Sequence, residues 1–217
     1  MVLGILFALP LSAQALTYGT YTFDADNDSD ESAWTFTNTA GGSGGLNAAN
    51  TSGEWSHDTN DTTSFGVGPT SGQGGSPDGY VYTEASGSAV AGDTYTMTLD
   101  QTLDAETYDW ELEFYWNQRG DDNQATVDVE IDDGSGWSTV ATYAESGPDV
   151  ASEGTDVWNQ VTLDLSGYAT STTAEVRLVV TIPSVTNIWN NDFGLDTITL
   201  TGTEIPSSSG PAWNSTD

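Results

Sequence analysis

Strict alternation of apolar and polar residues recurs along this chain and constrains its fold more than any other feature. Over 93–99, Tyr95, Met97 and Leu99 fall on one side, with Asp93 and the threonines on the other. Over 125–132, Val127, Val129 and Ile131 oppose Asp128, Glu130 and Asp132, and Val176, Leu178, Val180 and Ile182 repeat the pattern. A period of two puts one face of a strand in a core and the other in water, as in antiparallel sheets stacked as a sandwich. Strand-like runs bounded by turn residues are expected at 19–24, 33–37, 53–57, 79–84, 93–99, 109–117, 125–132, 136–143, 157–165, 174–182 and 193–201. The Asp132-Asp133-Gly134-Ser135-Gly136 turn joins two of them as a hairpin. Stretches 38–50 and 66–78 are rich in Gly, Ser, Asn and Pro and are expected as long surface loops, and 204–217 as a polar tail. At 217 residues the chain can bury one good core.

Charge narrows the function. Thirty-three acidic residues face only Arg119 and Arg177, with no lysine, for a formal net charge of −31. Nucleic acid and anionic membrane surfaces require Lys or Arg against phosphate, so neither is an expected partner. Self-repulsion of this size must be screened by salt or by bound cations. Eight Trp, nine Tyr and six Phe are too many for a disordered acidic tail, so the chain folds. It contains no cysteine, which removes disulfides and thiolate metal sites.

Residues 1–15 form an apolar run that ends in Ala13-Gln14-Ala15, the small-x-small pattern of a secretory signal cleaved before Leu16. The run is too short for a transmembrane helix, and no membrane insertion is expected. It carries no Lys or Arg before the apolar run, so a second reading stays open. In that reading 1–15 is an ordered apolar segment, such as a strand donated to a neighbouring subunit. Either way the protein is expected to be secreted or at the cell surface.

Read in order, the blocks YTFDAD, GEWSHD, GVGPTSG, GYVYTEAS, VWNQVTLDL and FGLDTITLTG resemble those of a MAM-type domain. The resemblance spans about Tyr18 to Gly202, although the cysteines of animal members are missing and 38–50 is an insertion. It implies an all-β fold, an antiparallel two-sheet jelly-roll β-sandwich in one domain over 16–203. It also implies a calcium or similar cation beside the first and last strands. Carried over residue by residue, that site takes Asp24 after the opening Phe23, Glu54 before Trp55 and Asp196 after Leu195, with Asp26 close enough to add an oxygen. Calcium takes six to eight oxygen ligands, and carboxylates converging on one point repel without it. The run from Asp24 to Asp30 also resembles the start of an EF-hand loop, but no Gly stands at the sixth position and no helices follow.

Jelly rolls also host glycanases, which need two carboxylates about 5–5.5 Å apart for retention. Glu130-Ile131-Asp132 begins the Glu-x-Asp-x-x-Glu pattern of laminarinase-type enzymes but lacks the second Glu, and the hairpin turn accounts for these residues. His57 is the lone histidine, and no nucleophile–base set accompanies it. The chain is therefore expected not to be an enzyme. Trp34, Trp110, Trp116 and Trp158 fall within strands and are expected in the core. Trp137, Trp189 and Trp213 are expected at the surface, against a ligand or a neighbouring subunit. Three roles follow: a self-associating structural or adhesive protein, a carbohydrate-binding module for extracellular polysaccharide, and a glycanase as the remote third.

Overall fold

The computed structural model describes residues 14–25, 30–42, 44–48, 52–120, 125–144, 156–184 and 187–206. Asp26 and Trp213 lie outside them, as do residues 1–13 and 207–217. Twelve strands are formed among the described residues. They are β1 (Ala15–Tyr21), β2 (Trp34–Asn38), β3 (Leu46–Ala48), β4 (Trp55–Asp58), β5 (Tyr80–Thr83) and β6 (Thr94–Leu99). The second half supplies β7 (Tyr108–Asn117), β8 (Thr126–Asp132), β9 (Trp137–Tyr143), β10 (Asn159–Asp164), β11 (Glu175–Thr181) and β12 (Phe193–Glu204). Two single 3-10 turns, Glu31–Ala33 and Ile188–Asn190, complete the regular structure. No helix among the described residues is long and apolar enough to cross a membrane.

The strands form a β-sandwich of two sheets. A seven-stranded sheet runs β10-β7-β12-β5-β4-β3, with β1 also paired to β12, and a five-stranded sheet runs β2-β6-β11-β8-β9. All eleven expected strands are present. The twelfth, β3, lies inside the stretch expected as a 38–50 loop and pairs in parallel with β4. All other pairings between the named strands are antiparallel. β1 starts earlier than expected, at Ala15, and pairs with the far half of β12 from Thr203 inward.

The alternation read from the sequence becomes the core. Trp110, Leu112, Phe114 and Trp116 of β7 turn inward against Val127, Val129 and Ile131 of β8 and Val176, Leu178 and Val180 of β11. Glu111, Glu113 and Tyr115 take the other face of β7 and are not buried. Trp116 stacks on Phe193 with centroids 5.4 Å apart, and Trp55 meets Phe36 and Tyr95 edge-on. Truncating one such ring to Ala typically removes about 3–5 kcal/mol of stability.

β5 departs from alternation because both its faces are buried. Val81 points into the core, while Tyr80 and Tyr82 lie under the connection that crosses the outside of the larger sheet. Tyr80 hydroxyl donates to the carbonyls of Asn60 and Pro69, and Trp158 Nε1 donates to Ser71 carbonyl at 3.1 Å. Arg119 fastens the same segment. Its Nε donates to Gly68 carbonyl at 2.6 Å, its Nη2 to Asp61 at 2.9 Å, and its own carbonyl accepts from Gly68 N–H. A Cβ on Gly194 would stand 2.4 Å from Pro69 Cγ, so the glycine lets this cover approach β12. The 66–78 stretch is thus a fitted cover on the sheet, pinned by named hydrogen bonds, as well as a surface loop.

Candidate functional site

The corner where β1 ends, β5 begins and β12 bends collects carboxyl groups. β12 shifts register between Asp196 and Thr199, and Thr197 takes a φ of 45°, a left-handed conformation uncommon for a β-branched residue. This bulge sets Asp196 fully buried against the 66–78 cover. Its Oδ2 accepts from Gln73 N–H at 2.6 Å and its Oδ1 from Thr197 N–H at 2.5 Å. Burial pushes its pKa up to about 7, the Gln73 N–H opposes this, and the nearby Asp78 adds to it.

Asp78 is the hub. Its carboxyl accepts from Gly74 N–H and shares a hydrogen bond with Asp24. Its pKa is raised, by burial first and then by Asp24. Two carboxyl groups share a hydrogen bond only through a proton, and a bound cation would replace that proton. Asp24 itself is exposed and follows Phe23, whose φ is 53°. Phe23 carbonyl accepts from His57 Nε2 at 2.8 Å, which fixes the proton-bearing nitrogen of the ring. A Cβ on Gly79 would fall 2.0 Å from that same carbonyl, so only glycine lets β5 start so close to the end of β1. The Asp30 carboxyl accepts from Thr22 N–H at 2.7 Å.

Of the residues expected as cation ligands, the structure brings Asp24 and Asp196 together around Asp78 and sets Glu54 elsewhere. Leu195, Val81 and His57 are aligned across β12, β5 and β4, and so are Phe193, Thr83 and Trp55. Asp196 is therefore level with Tyr80 and Asp58, four residues further along β4 than Glu54. That is about 13 Å along the strand and about 10 Å across two strand spacings. Glu54 is buried beside Gly42 and accepts from Asn47 of β3. Among the described residues, no group of three or more His, Asp or Glu side chains is placed so that it could hold a metal ion. Asp78 is not among the residues expected as ligands from the sequence. Its one signal there is an acid directly before the Gly79-Tyr80 strand start, at the end of a stretch rich in Gly, Pro and Ser.

A second carboxyl pair ties the cover to the sheet. Asp192 is fully buried and accepts from Ala85 N–H at 2.9 Å and from Ser64, and Glu84 accepts from Thr63 hydroxyl at 2.9 Å and Ser86 N–H at 3.1 Å. Burial holds the Asp192 carboxyl well above its ordinary pKa, and the neighbouring Glu84 charge adds to this.

The tryptophans divide. Trp34, Trp110 and Trp116 are core residues, whereas Trp158 is half-buried outside the larger sheet. Trp137 is half-buried, with the Arg177 guanidinium 4.1 Å from its ring centroid. Trp189 is 48% exposed in the Ile188–Asn190 turn. Phe65, not singled out from sequence, is 98% exposed one residue from Ser64 in the Arg119-fastened segment. The carboxylates tested for glycanase chemistry have structural partners. Glu130 Oε2 accepts from Arg177 Nε at 2.7 Å, and Asp132 Oδ1 accepts from Gly134 and Gly136 N–H in the hairpin turn.

No protein-family model matches the chain, and no curated protein sequence matches it. Solved structures do resemble it. The K2 cleaved adhesin domain of Lys-gingipain superposes with a TM-score of 0.53 at 16% identity, covering 84% of this chain and 96% of that domain. The K1 and K3 adhesin domains of the same protein from Porphyromonas gingivalis W83 give TM-scores of 0.52 and 0.51, each at 14% identity. They cover 86% and 85% of this chain, and 97% and 98% of those domains. The shared feature is the β-sandwich fold.

Proposed function

We propose that this chain is a non-catalytic structural or adhesive protein that works outside the cell and self-associates at the cell surface or in a filament. Its β-sandwich is stabilised by calcium taken up where the Asp24 and Asp78 carboxyl groups meet. One observation carries the reading: in a chain of net charge −31, the ends of the first and last strands are joined through carboxyl groups that face one another. Hard oxygen donors on separate segments suit calcium, which tolerates irregular geometry. The adhesin domains that share this fold support the adhesive role. On this reading 1–15 is a secretory signal, 16–203 the functional sandwich and 204–217 a polar tail. Size-exclusion chromatography and electron microscopy with calcium, then with chelator, test it. A protein that stays monomeric in both, with a melting temperature indifferent to calcium, sinks both the assembly and the cation.

A second reading is favoured by Trp189. Its half-exposed ring in the Ile188–Asn190 turn offers a sugar a stacking face. Calorimetric titration with neutral and acidic polysaccharides would detect such binding, and Trp189→Ala would abolish it without altering the melting temperature.

A further inference from the structure

We infer that the 63–66 turn is a pH-operated flap, which holds Phe65 still in acid and lifts as the buried Asp192–Glu84 pair beneath it becomes fully ionised. The device depends neither on the proposed calcium site nor on self-association.

The turn stands on a firm neck. Thr62 and Val67 are buried on either side of it, and Thr62 hydroxyl donates to Val67 carbonyl. Thr62 N–H donates to Pro69 carbonyl at 3.3 Å. Arg119 grips both ends, through Asp61 and the Gly68 carbonyl, and its guanidinium stays charged at every working pH. Between Thr62 and Val67, Thr63, Phe65 and Gly66 are exposed and Ser64 is half-buried. Val67 N–H donates to Ser64 carbonyl at 3.1 Å and closes the turn. The turn's inner side rests on the two carboxyl groups. Thr63 hydroxyl donates to Glu84 at 2.9 Å, and Ser64 hydroxyl donates to Asp192. Phe65 sits in the middle of the turn and follows its motion.

Asp192 and Glu84 are 0% and 1% exposed. Asp192 also accepts from Ala85 N–H, and Glu84 from Ser86 N–H. Tyr80 of β5 and Tyr95 of β6 lie close enough to feel the Asp192 charge, and burial holds both phenols above their ordinary value, so neither ionises with the pair. The acids beyond them, Asp93 near Tyr95 and Asp58 and Asp61 near Tyr80, add only negative charge. Both arginines form their ion pairs elsewhere, Arg119 with Asp61 and Arg177 with Glu130, and His57 is turned to Phe23 carbonyl. Two carboxylates buried side by side repel and lose their hydration, so the pair keeps a proton until water can reach it. Strand β5 and the phenols close the inner sides, whereas solvent already touches Thr63 and Ser64. Lifting the turn therefore hydrates both carboxylates while the neck holds. Asp192 lies well above its ordinary 3.8, through burial first and then Glu84. A folded value above the unfolded one makes closure complete below 3.8 and progressively lost as pH rises through the folded value.

Amide hydrogen exchange of the labelled full chain in chelator, followed by NMR from about pH 4.5 to about 8.5 and corrected for intrinsic exchange chemistry, provides the test. Val67 N–H reports the turn, and Gly68 N–H, which donates to Arg119 carbonyl at 2.8 Å, reports the neck. We expect Val67 protection to fall by about tenfold or more across that range, with Gly68 unchanged. Asp192→Asn cannot ionise and should keep Val67 protected throughout. Glu84→Gln should do the same, while Asp196→Asn should respond as wild type does. Chymotryptic cleavage after Phe65, scaled to that of a short peptide of the same sequence, should rise with pH in wild type and stay level in Asp192→Asn. If Asp192→Asn fails to fold, wild type and Glu84→Gln still decide. Val67 protection that stays level in wild type, or that falls in step with Gly68, overturns the flap. So does a wild-type response kept by the carboxyl variants that fold.

Discussion

Replacing Asp196 with Asn separates the electrostatics of the strand-end corner from its packing. The carboxyl titrates at about 7 in the folded protein against 3.8 as its ordinary value, because burial favours the neutral form. Between those values the folded state holds the proton more tightly than the unfolded chain. Stability in chelator is therefore full below pH 4, falls as pH rises and levels off above 7. At about 1.4 kcal/mol per unit, the whole effect amounts to about 4 kcal/mol, of which about 3 kcal/mol lies between pH 4.5 and 8.5. Asn cannot ionise, so the variant should lack this slope. It carries instead a pH-independent loss of about 1–2 kcal/mol, because one of its two amide atoms cannot accept from Gln73 or Thr197 N–H. The assay is urea unfolding of both proteins in chelator at the two pH values. Wild type should be the more stable at 4.5 and the variant at 8.5. Added calcium should then stabilise the wild type at 8.5 by more than the variant. A wild-type minus variant difference that moves by less than about 1 kcal/mol with pH would refute the reasoning.

Further changes probe the frame around that corner. Gly79→Ala forces a Cβ to 2.0 Å from Phe23 carbonyl and should cost more than about 2 kcal/mol, read as a lowered urea midpoint. Arg119→Ala removes the donor to Gly68 and should cost about 1–3 kcal/mol, whereas Asp61→Ala, which removes only the exposed end of the ion pair, should cost less than about 1 kcal/mol. Thermal melts of the two variants check the ordering. Phe65→Ser should leave the melting temperature within error, since the ring is 98% exposed, and its effect should appear only in surface-adhesion measurements.

The strands that build the core were legible wherever one face is wet. β6, β8 and β11 alternate cleanly because their outward residues meet solvent. β5, expected at 79–84, has no wet face because the 66–78 segment covers its outward tyrosines, a tertiary fact that no local period encodes. β3 has three residues and a parallel partner, too little chain for a period to register. The corner was half legible. Resemblance supplied Asp24 and Asp196, but strand register, which separates Glu54 from them, depends on pairing across β12, β5 and β4. Asp78 belongs to the corner only because the cover folds back onto the sheet, so nothing short of the fold could place it there.

Both arginines of this chain are structural. Arg119 clamps the cover to the sheet, and Arg177 lies between Glu130 and Trp137. With no lysine beside them, no side chain carries a primary amine and only two peptide bonds follow a residue that trypsin-like enzymes accept. A matrix rich in such proteases should leave the folded protein largely uncut. In the laboratory, amine-reactive dyes and fixatives will find no side chain to attach to. Tryptic mass spectrometry should see it as a few very large fragments, so acid-specific cleavage is the practical route to detecting it in a mixture.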